Sequence, residues 1–273
     1  MDPTKVFRRL WQGRDQRALI SVHRGLWGPA PENSLTALND AAALGIVEVD
    51  LQLTADNQVV VFHDDVLDRM TAQAGPLAAR DQATLAAIPL RAGGGGADSA
   101  QSEQSIPTLE GLLAATRPGT FYDYDIKLPD QVEAIAGHIQ RLGGQSLGSI
   151  KIDTKTPADI NRLLALQDRF GIMVMAKVNL ATTGSDHIRD LANAGVAAAE
   201  VWFNALDELA DACTIAGTQM AISTYTLDPV HCCGLSDAKA LANPDQVWGP
   251  LLDAGVTILM TDQAKALGRY LAR

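Results

Sequence analysis

Residues 46–65, IVEVDLQLTADNQVVVFHDD, decide how this chain is read. Within 46–52 the residues alternate: Ile46, Glu48, Asp50 and Gln52 fall on one face of a strand, and Val47, Val49 and Leu51 on the other. Thr54-Ala55-Asp56-Asn57 carries hairpin turn chemistry, and a second β-forming run at 58–62 then delivers His63 and Asp64 back toward the carboxylates. Taken alone, Glu48 and Asp50 equally fit the solvated face of an edge strand. Their neighbourhood decides between the two.

Upstream, the short apolar run 18–22 ends in His23-Arg24-Gly25, and Pro31-Glu32-Asn33-Ser34 opens a helix that stops near Gly45. Downstream, strand-like runs recur at 121–126, 149–152, 172–176, 198–203, 220–225 and 257–260. With 18–22 and 46–52 these make eight, leaving 58–62 as a hairpin arm. Between them lie helical stretches with recognisable ends: 130–142 before Gly143-Gly144, 156–170 opened by Thr156-Pro157 and closed by Gly171, one opened by Asn243-Pro244, and a last one after Thr261-Asp262. Eight strand–helix units in 273 residues predict one α/β domain closed as a (β/α)8 TIM barrel.

Residues 65–118 break the rhythm. They hold a glycine run, Gly93 to Gly96, and a Ser-, Gln- and acid-rich stretch before Ile106-Pro107-Thr108 starts a helix. Such composition predicts a surface insertion with a mobile glycine run, placed directly after His63.

In a TIM barrel the catalytic groups collect at the C-terminal ends of the strands. His23 ends the first strand, Glu48 and Asp50 lie on the second, and on the third Asp123, Asp125 and Lys127 share one parity. Burying such charges without partners is costly, so convergence on a common task is expected, with a structural Asp125–Lys127 ion pair as the plain alternative. Carboxylates converging without thiols suit a hard divalent cation, Mg²⁺, Ca²⁺ or Mn²⁺. His23 and His63 beside them suit general acid and base work, because imidazole titrates near neutrality.

Taken as an ordered set, His23-Arg24, the Pro31 to Ser34 motif, Glu48-x-Asp50 and His63-Asp64 resemble the glycerophosphodiester phosphodiesterase family. The resemblance implies a metal held by Glu48, Asp50 and Asp125, and a glycerol 2-hydroxyl that attacks phosphorus with help from one histidine while the other protonates the leaving alcohol. A cyclic phosphate is the implied intermediate, a phosphomonoester the product, and the 65–118 insertion a lid over the barrel mouth. Arg24 and Lys127 would hold phosphate oxygens, with Lys127 counted beside His23 and His63 in the catalytic set. The chain departs from the family in having Asp125 where Glu is usual, Asn57 for the turn glycine, and Tyr225-Thr226 for a Trp-Thr pair.

Further polar and aromatic groups, Lys151, Lys177, Glu200, Trp202 and Tyr225, sit near predicted strand ends. They are expected to recognise an alcohol larger than glycerol, as in the outlying members of the family that act on sugar phosphodiesters of the agrocinopine type. Competing readings are a sphingomyelinase D-like lyase that releases the cyclic phosphate, a non-catalytic barrel that binds sugar phosphates, and a metal-dependent isomerase.

The net charge of −10 argues against nucleic acid or an anionic membrane as the main partner and for a small phosphodiester met by a local positive site. No apolar run spans a bilayer. Residues 1–17 place Arg8, Arg9, Arg14 and Arg17 around Phe7 and Trp11, the pattern of a short amphipathic helix packed on the barrel base, membrane-surface binding being the alternative. Three cysteines without zinc spacing, and no secretory signal, predict a reduced, cytoplasmic protein.

Overall fold

The computed structural model describes residues 2–273. Strand and helix alternate along the chain as in a (β/α)8 TIM barrel, and the fold is of that class. The eight barrel strands are β1 (Leu19–Val22), β2 (Ile46–Leu53), β6 (Tyr122–Ile126), β7 (Gly148–Asp153), β8 (Met173–Asn179), β9 (Ala198–Trp202), β10 (Ala221–Tyr225) and β11 (Ile258–Thr261). The three remaining strands, β3 (Val59–Val61), β4 (Pro89–Arg91) and β5 (Gln101–Ser105), belong to the hairpin arm and the insertion. By its internal contacts the chain divides into two compact units: Val22–Gly148, and the stretch ending at Ser21 together with Ser149–Arg273.

In the first unit, β2 and β6 run parallel with Glu48 beside Asp123 and Asp50 beside Asp125. The hairpin arm β3 returns antiparallel to β2, Leu51 opposite Val61. Its turn passes through Asn57 at φ 54, a left-handed conformation that Asn tolerates better than most residues with a side chain. Both faces of β2 are buried: Val47, Val49 and Leu51 are fully covered, and Glu48, Asp50 and Gln52 are no more than 3 % exposed. The solvated-edge alternative is therefore excluded.

The insertion is a small folded body. Helix Gln82–Ala86, capped by the Asp81 side chain, and the β4–β5 hairpin enclose an apolar cluster in which Leu67, Met70, Leu77, Leu85, Leu90 and Ile106 pack on Val60 and Phe62 of the arm. The glycine run, expected to be mobile, is held by hydrogen bonds: Glu32 N–H donates to the Gly93 carbonyl, and Gly96 N–H to that of Arg69. At Gly95, φ 73, an added Cβ would lie 2.5 Å from the Arg69 carbonyl oxygen, so the close approach requires glycine.

In the second unit β7, β8, β9, β10 and β11 pair in parallel sequence. Strand β8 continues to Asn179, past the expected end at 176, because its pairing with β9 goes on through Lys177–Glu200 to Asn179–Trp202. Helix Pro157–Phe170 begins with a Thr156–Asp159 capping box and ends at Gly171 in the left-handed conformation, as its sequence predicts. The helix Pro3–Gln12 buries Phe7 and Trp11, and Arg8 donates to the Gln219 carbonyl just ahead of β10. Its apolar face is thus spent on packing, against the membrane-surface alternative. Among the described residues no helix is long and apolar enough to cross a membrane.

Candidate active site

The parity of β2 and its register with β6 bring Glu48, Asp50 and Asp125 together, one carboxylate oxygen of each lying within 4.8 Å of the others. Asp123, two residues earlier on β6, pairs in register with Glu48 and is not one of this group. The donors are all carboxylate oxygens, which fits a hard divalent cation, and the shorter arm of Asp125 still reaches. These three residues would hold such an ion.

Buried charges at this density need partners, and each has them. The Lys127 ammonium lies 2.6 Å from Asp50 Oδ1 and 2.7 Å from Asp125 Oδ2. Arg24 donates its backbone N–H to Glu48 Oε2 at 2.8 Å, places Nε 3.3 Å from Asp50 Oδ2 and bonds Glu32 through Nη1. Arg24 has φ 54 and Asn33 φ 57, so both loops are bent tightly around Asp50. Asn33 donates from Nδ2 to Asp50 Oδ2 at 2.7 Å and accepts the Asp50 backbone N–H on Oδ1. Burial would raise the Asp50 carboxyl, but Lys127 and Arg24 outweigh it and hold its pKa below the ordinary value. Burial likewise opposes the charge on Lys127, and the carboxylates of Asp50, Asp125 and Glu48 overcome it, raising that pKa.

His63 follows the hairpin arm. Its Nδ1 lies 2.6 Å from Asp64 Oδ1, and Arg69 grips Asp64 with Nε at 2.7 Å and Nη2 at 2.8 Å. Despite burial, these bonds from His63 and Arg69 hold Asp64 well below the carboxylate range. Gln52, next in parity after Asp50, brings Nε2 to 2.9–3.0 Å from the carbonyls of Phe62, His63 and Asp64 and so fixes the turn that carries the imidazole. His23 stands directly after β1, next to Arg24.

The other expected residues belong to the second unit. Lys151 and Glu200 form a buried ion pair at 3.0 Å, where the sequence suggested two groups presented to a ligand. Asp153, Lys177, Asn179, Glu200, Trp202 and Tyr225 line a cavity of about 190 Å³. Burial, then the neighbouring Cys232 thiol and Glu200, raises the Tyr225 phenol pKa, so it stays a neutral donor.

Three contributors lacked a sequence signal of their own role. Asn33 and Glu32 sit in a recognised motif whose partners lie far along the chain, and Arg69 lies in an irregular loop five residues past Asp64. A polar residue on the buried face of β2, Gln52, was the one whose purpose alternation could have flagged.

Fold and site together define a TIM-barrel protein with a cluster of three carboxylates that could hold a cation, flanked by imidazole, guanidinium and ammonium groups. Residues 23–265 match the model of the Glycerophosphoryl diester phosphodiesterase family, and the chain belongs to that family. It is 32 % identical over 124 residues to the glycerophosphodiester phosphodiesterase of Bacillus subtilis, a match covering 42 % of this chain and 41 % of that one. With glycerophosphodiester phosphodiesterase 1 of Bos taurus it shares 40 % over 77 residues, 28 % of this chain and 23 % of the relative. Alignments to curated relatives thus span less than half of their length. Among solved structures, a glycerophosphoryl diester phosphodiesterase from Parabacteroides distasonis superposes with TM-score 0.75 at 21 % identity, covering 98 % of this chain and 92 % of the other. A phosphodiesterase of Oleispira antarctica, solved with the product sn-glycerol-3-phosphate, gives 0.68 at 19 % identity over 93 % and 97 % of the two chains. These likenesses bear out the barrel and the family; they lend the agrocinopine-type branch no support.

Proposed function

We propose that this chain is a single-domain, divalent-metal-dependent phosphodiesterase that cleaves glycerophosphodiesters to a phosphomonoester and an alcohol. The observation that carries the reading is the convergence of Glu48, Asp50 and Asp125 beside an imidazole whose orientation is fixed by Asp64. A bound Mg²⁺, Ca²⁺ or Mn²⁺ would polarise the phosphodiester and offset developing charge on it. Arg24 holds a phosphate oxygen, and Lys127, ion-paired with both Asp50 and Asp125, supplies a further positive charge to the same group.

His23 and His63 divide the proton work. One takes the proton of the glycerol 2-hydroxyl as its oxygen bonds to phosphorus; the other gives a proton to the departing alcohol oxygen as its phosphorus bond breaks. Water then opens the resulting cyclic phosphate, with the two roles reversed. Binding alone needs no proton donors, which favours catalysis over the sensor reading. A reduced, cytoplasmic setting is proposed on the three cysteines without zinc spacing; burial pushes the thiol pKa values of Cys213 and Cys232 up to about 12 and about 11, which makes both poor nucleophiles.

A second reading concerns the alcohol. The cavity of the second unit offers Lys177, Asn179 and Tyr225 as polar partners and Trp202 as an aromatic face, which suits a hydroxyl-rich group such as a sugar. Phosphorus NMR across glycerophosphocholine, glycerophosphoinositol and a sugar phosphodiester, with and without chelator, tests both. Phosphomonoester release abolished by chelator is expected; release unaffected by chelator rejects the metal site, and a cyclic phosphate as the end product returns the lyase reading.

A further inference from the structure

The guanidinium of Arg69 spends every nitrogen on a polar partner. Nε and Nη2 form a fork on the two oxygens of Asp64, Nη2 also donates to Glu32 Oε1 at 2.6 Å, and Nη1 donates to the Gly94 carbonyl at 2.6 Å. Each carboxylate it holds is shared with a residue of the candidate site. Asp64 Oδ1 meets His63 Nδ1, and Glu32 Oε1 meets Arg24 Nη1, whose Nε in turn faces Asp50. One continuous chain of hydrogen-bonded charges therefore joins the imidazole to the arginine expected to hold phosphate.

The insertion is built to keep Arg69 in that place. Leu67 and Met70, on either side of it, are buried in the insertion's apolar cluster. The Arg69 carbonyl accepts from Gly96 N–H, and Gly95 passes so close that a side chain there would collide. A loop that merely covered a site would not need Arg69 fixed from the backbone, the side chain and the flanking core together.

We infer that Arg69 is a positioning residue for His63, and that carrying it is a task of the 65–118 insertion. By gripping both oxygens of Asp64, the fork fixes the carboxylate so that it accepts from Nδ1–H, which leaves Nε2 as the ring nitrogen turned to the reacting atoms. Through Glu32 the same guanidinium ties the placement of the imidazole to that of Arg24. Lysine could supply the charge but not two parallel N–H bonds. The inference rests on the proposed proton-transfer role of His63.

The test combines nitrogen-15 NMR of the His63 ring with steady-state kinetics on Arg69→Lys, Arg69→Ala and Asp64→Asn. In the parent the neutral ring is expected in the Nδ1–H tautomer alone. Arg69→Lys should give a tautomer mixture and lower kcat about tenfold with KM within about twofold, and Arg69→Ala should lower kcat about a hundredfold, the range seen when the partner orienting a functional histidine is lost. Asp64→Asn, which leaves the arginine and the cluster in place, should scramble the tautomer equally, and combining it with Arg69→Ala should add little. An Arg69→Lys protein with parental tautomer and kcat would show that only the charge matters and overturn the inference, as would an unchanged tautomer in Asp64→Asn. If His63→Ala keeps full activity while Arg69→Lys still scrambles the ring, the positioning stands and the proposed acid–base role falls.

Discussion

Lys127→Met removes the ammonium that sits between Asp50 and Asp125 while keeping an unbranched stem of similar length. Asp50 is wholly buried, and loss of one member of a buried ion pair costs about 3–5 kcal/mol, because the remaining charge is stranded in a medium that solvates it poorly. Two observations put this case at the lower end. Asp50 keeps Asn33 at 2.7 Å and Arg24 at 3.3 Å, and the Asp125 side chain is 16 % exposed. In chelator, urea unfolding should therefore show the variant about 3 kcal/mol less stable than the parent. A divalent cation placed among the same carboxylates replaces the lost charge, and at about 100 times its dissociation constant it contributes about 2.7 kcal/mol, nearly the whole deficit. The cation should stabilise the variant more than the parent, whose own ammonium already offsets part of the charge on Asp50 and Asp125. A variant as stable as the parent in chelator, or one that gains no more from the cation than the parent does, would refute the electrostatic account of the cluster.

Three further outcomes are expected. Glu48→Gln and Asp50→Asn should each abolish turnover and weaken Mg²⁺ or Ca²⁺ binding by at least about tenfold in calorimetry while circular dichroism stays native, since second-coordination changes alone reach that scale. Asp237, buried where it accepts from the hydroxyls of Thr226 and Thr261 and from Asp262 N–H, has its pKa raised by burial to about 6, against the ordinary value of 3.8. The folded state therefore holds this proton more tightly than the unfolded chain. Its contribution is fully present below about pH 4 and is lost as pH rises through about 6, a change of about 3 kcal/mol that Asp237→Asn should remove from the difference between parent and variant pH–stability curves. Lys177→Ala should narrow the preference for a sugar phosphodiester over glycerophosphocholine in kcat/KM; a parent with no such preference, and no effect of the substitution on the ratio, would return the alcohol to glycerol-linked substrates.

The sequence by itself determined which side of each strand carries chemistry. A period of two puts Glu48, Asp50 and Gln52 on one face, and Asp123, Asp125 and Lys127 on one face, whatever the rest of the chain does. It also set the helix ends, through Thr156-Pro157 and Gly171, and the hairpin that returns His63. What it left open was register and partnership. That Asp50 stands beside Asp125 depends on hydrogen bonds between β2 and β6, across an insertion whose own fold local periodicity did not predict. The same holds for Asn33 on Asp50, 17 residues apart, for Arg69 on Glu32, 37 apart, and for the Lys151–Glu200 pair, 49 apart. Alternation is a property of one segment, whereas a charge pair is chosen by whichever groups burial brings within reach of each other. Only the tertiary structure removes the water that would otherwise solvate them separately, and so only there do Arg69, Glu32 and Asn33 acquire their partners.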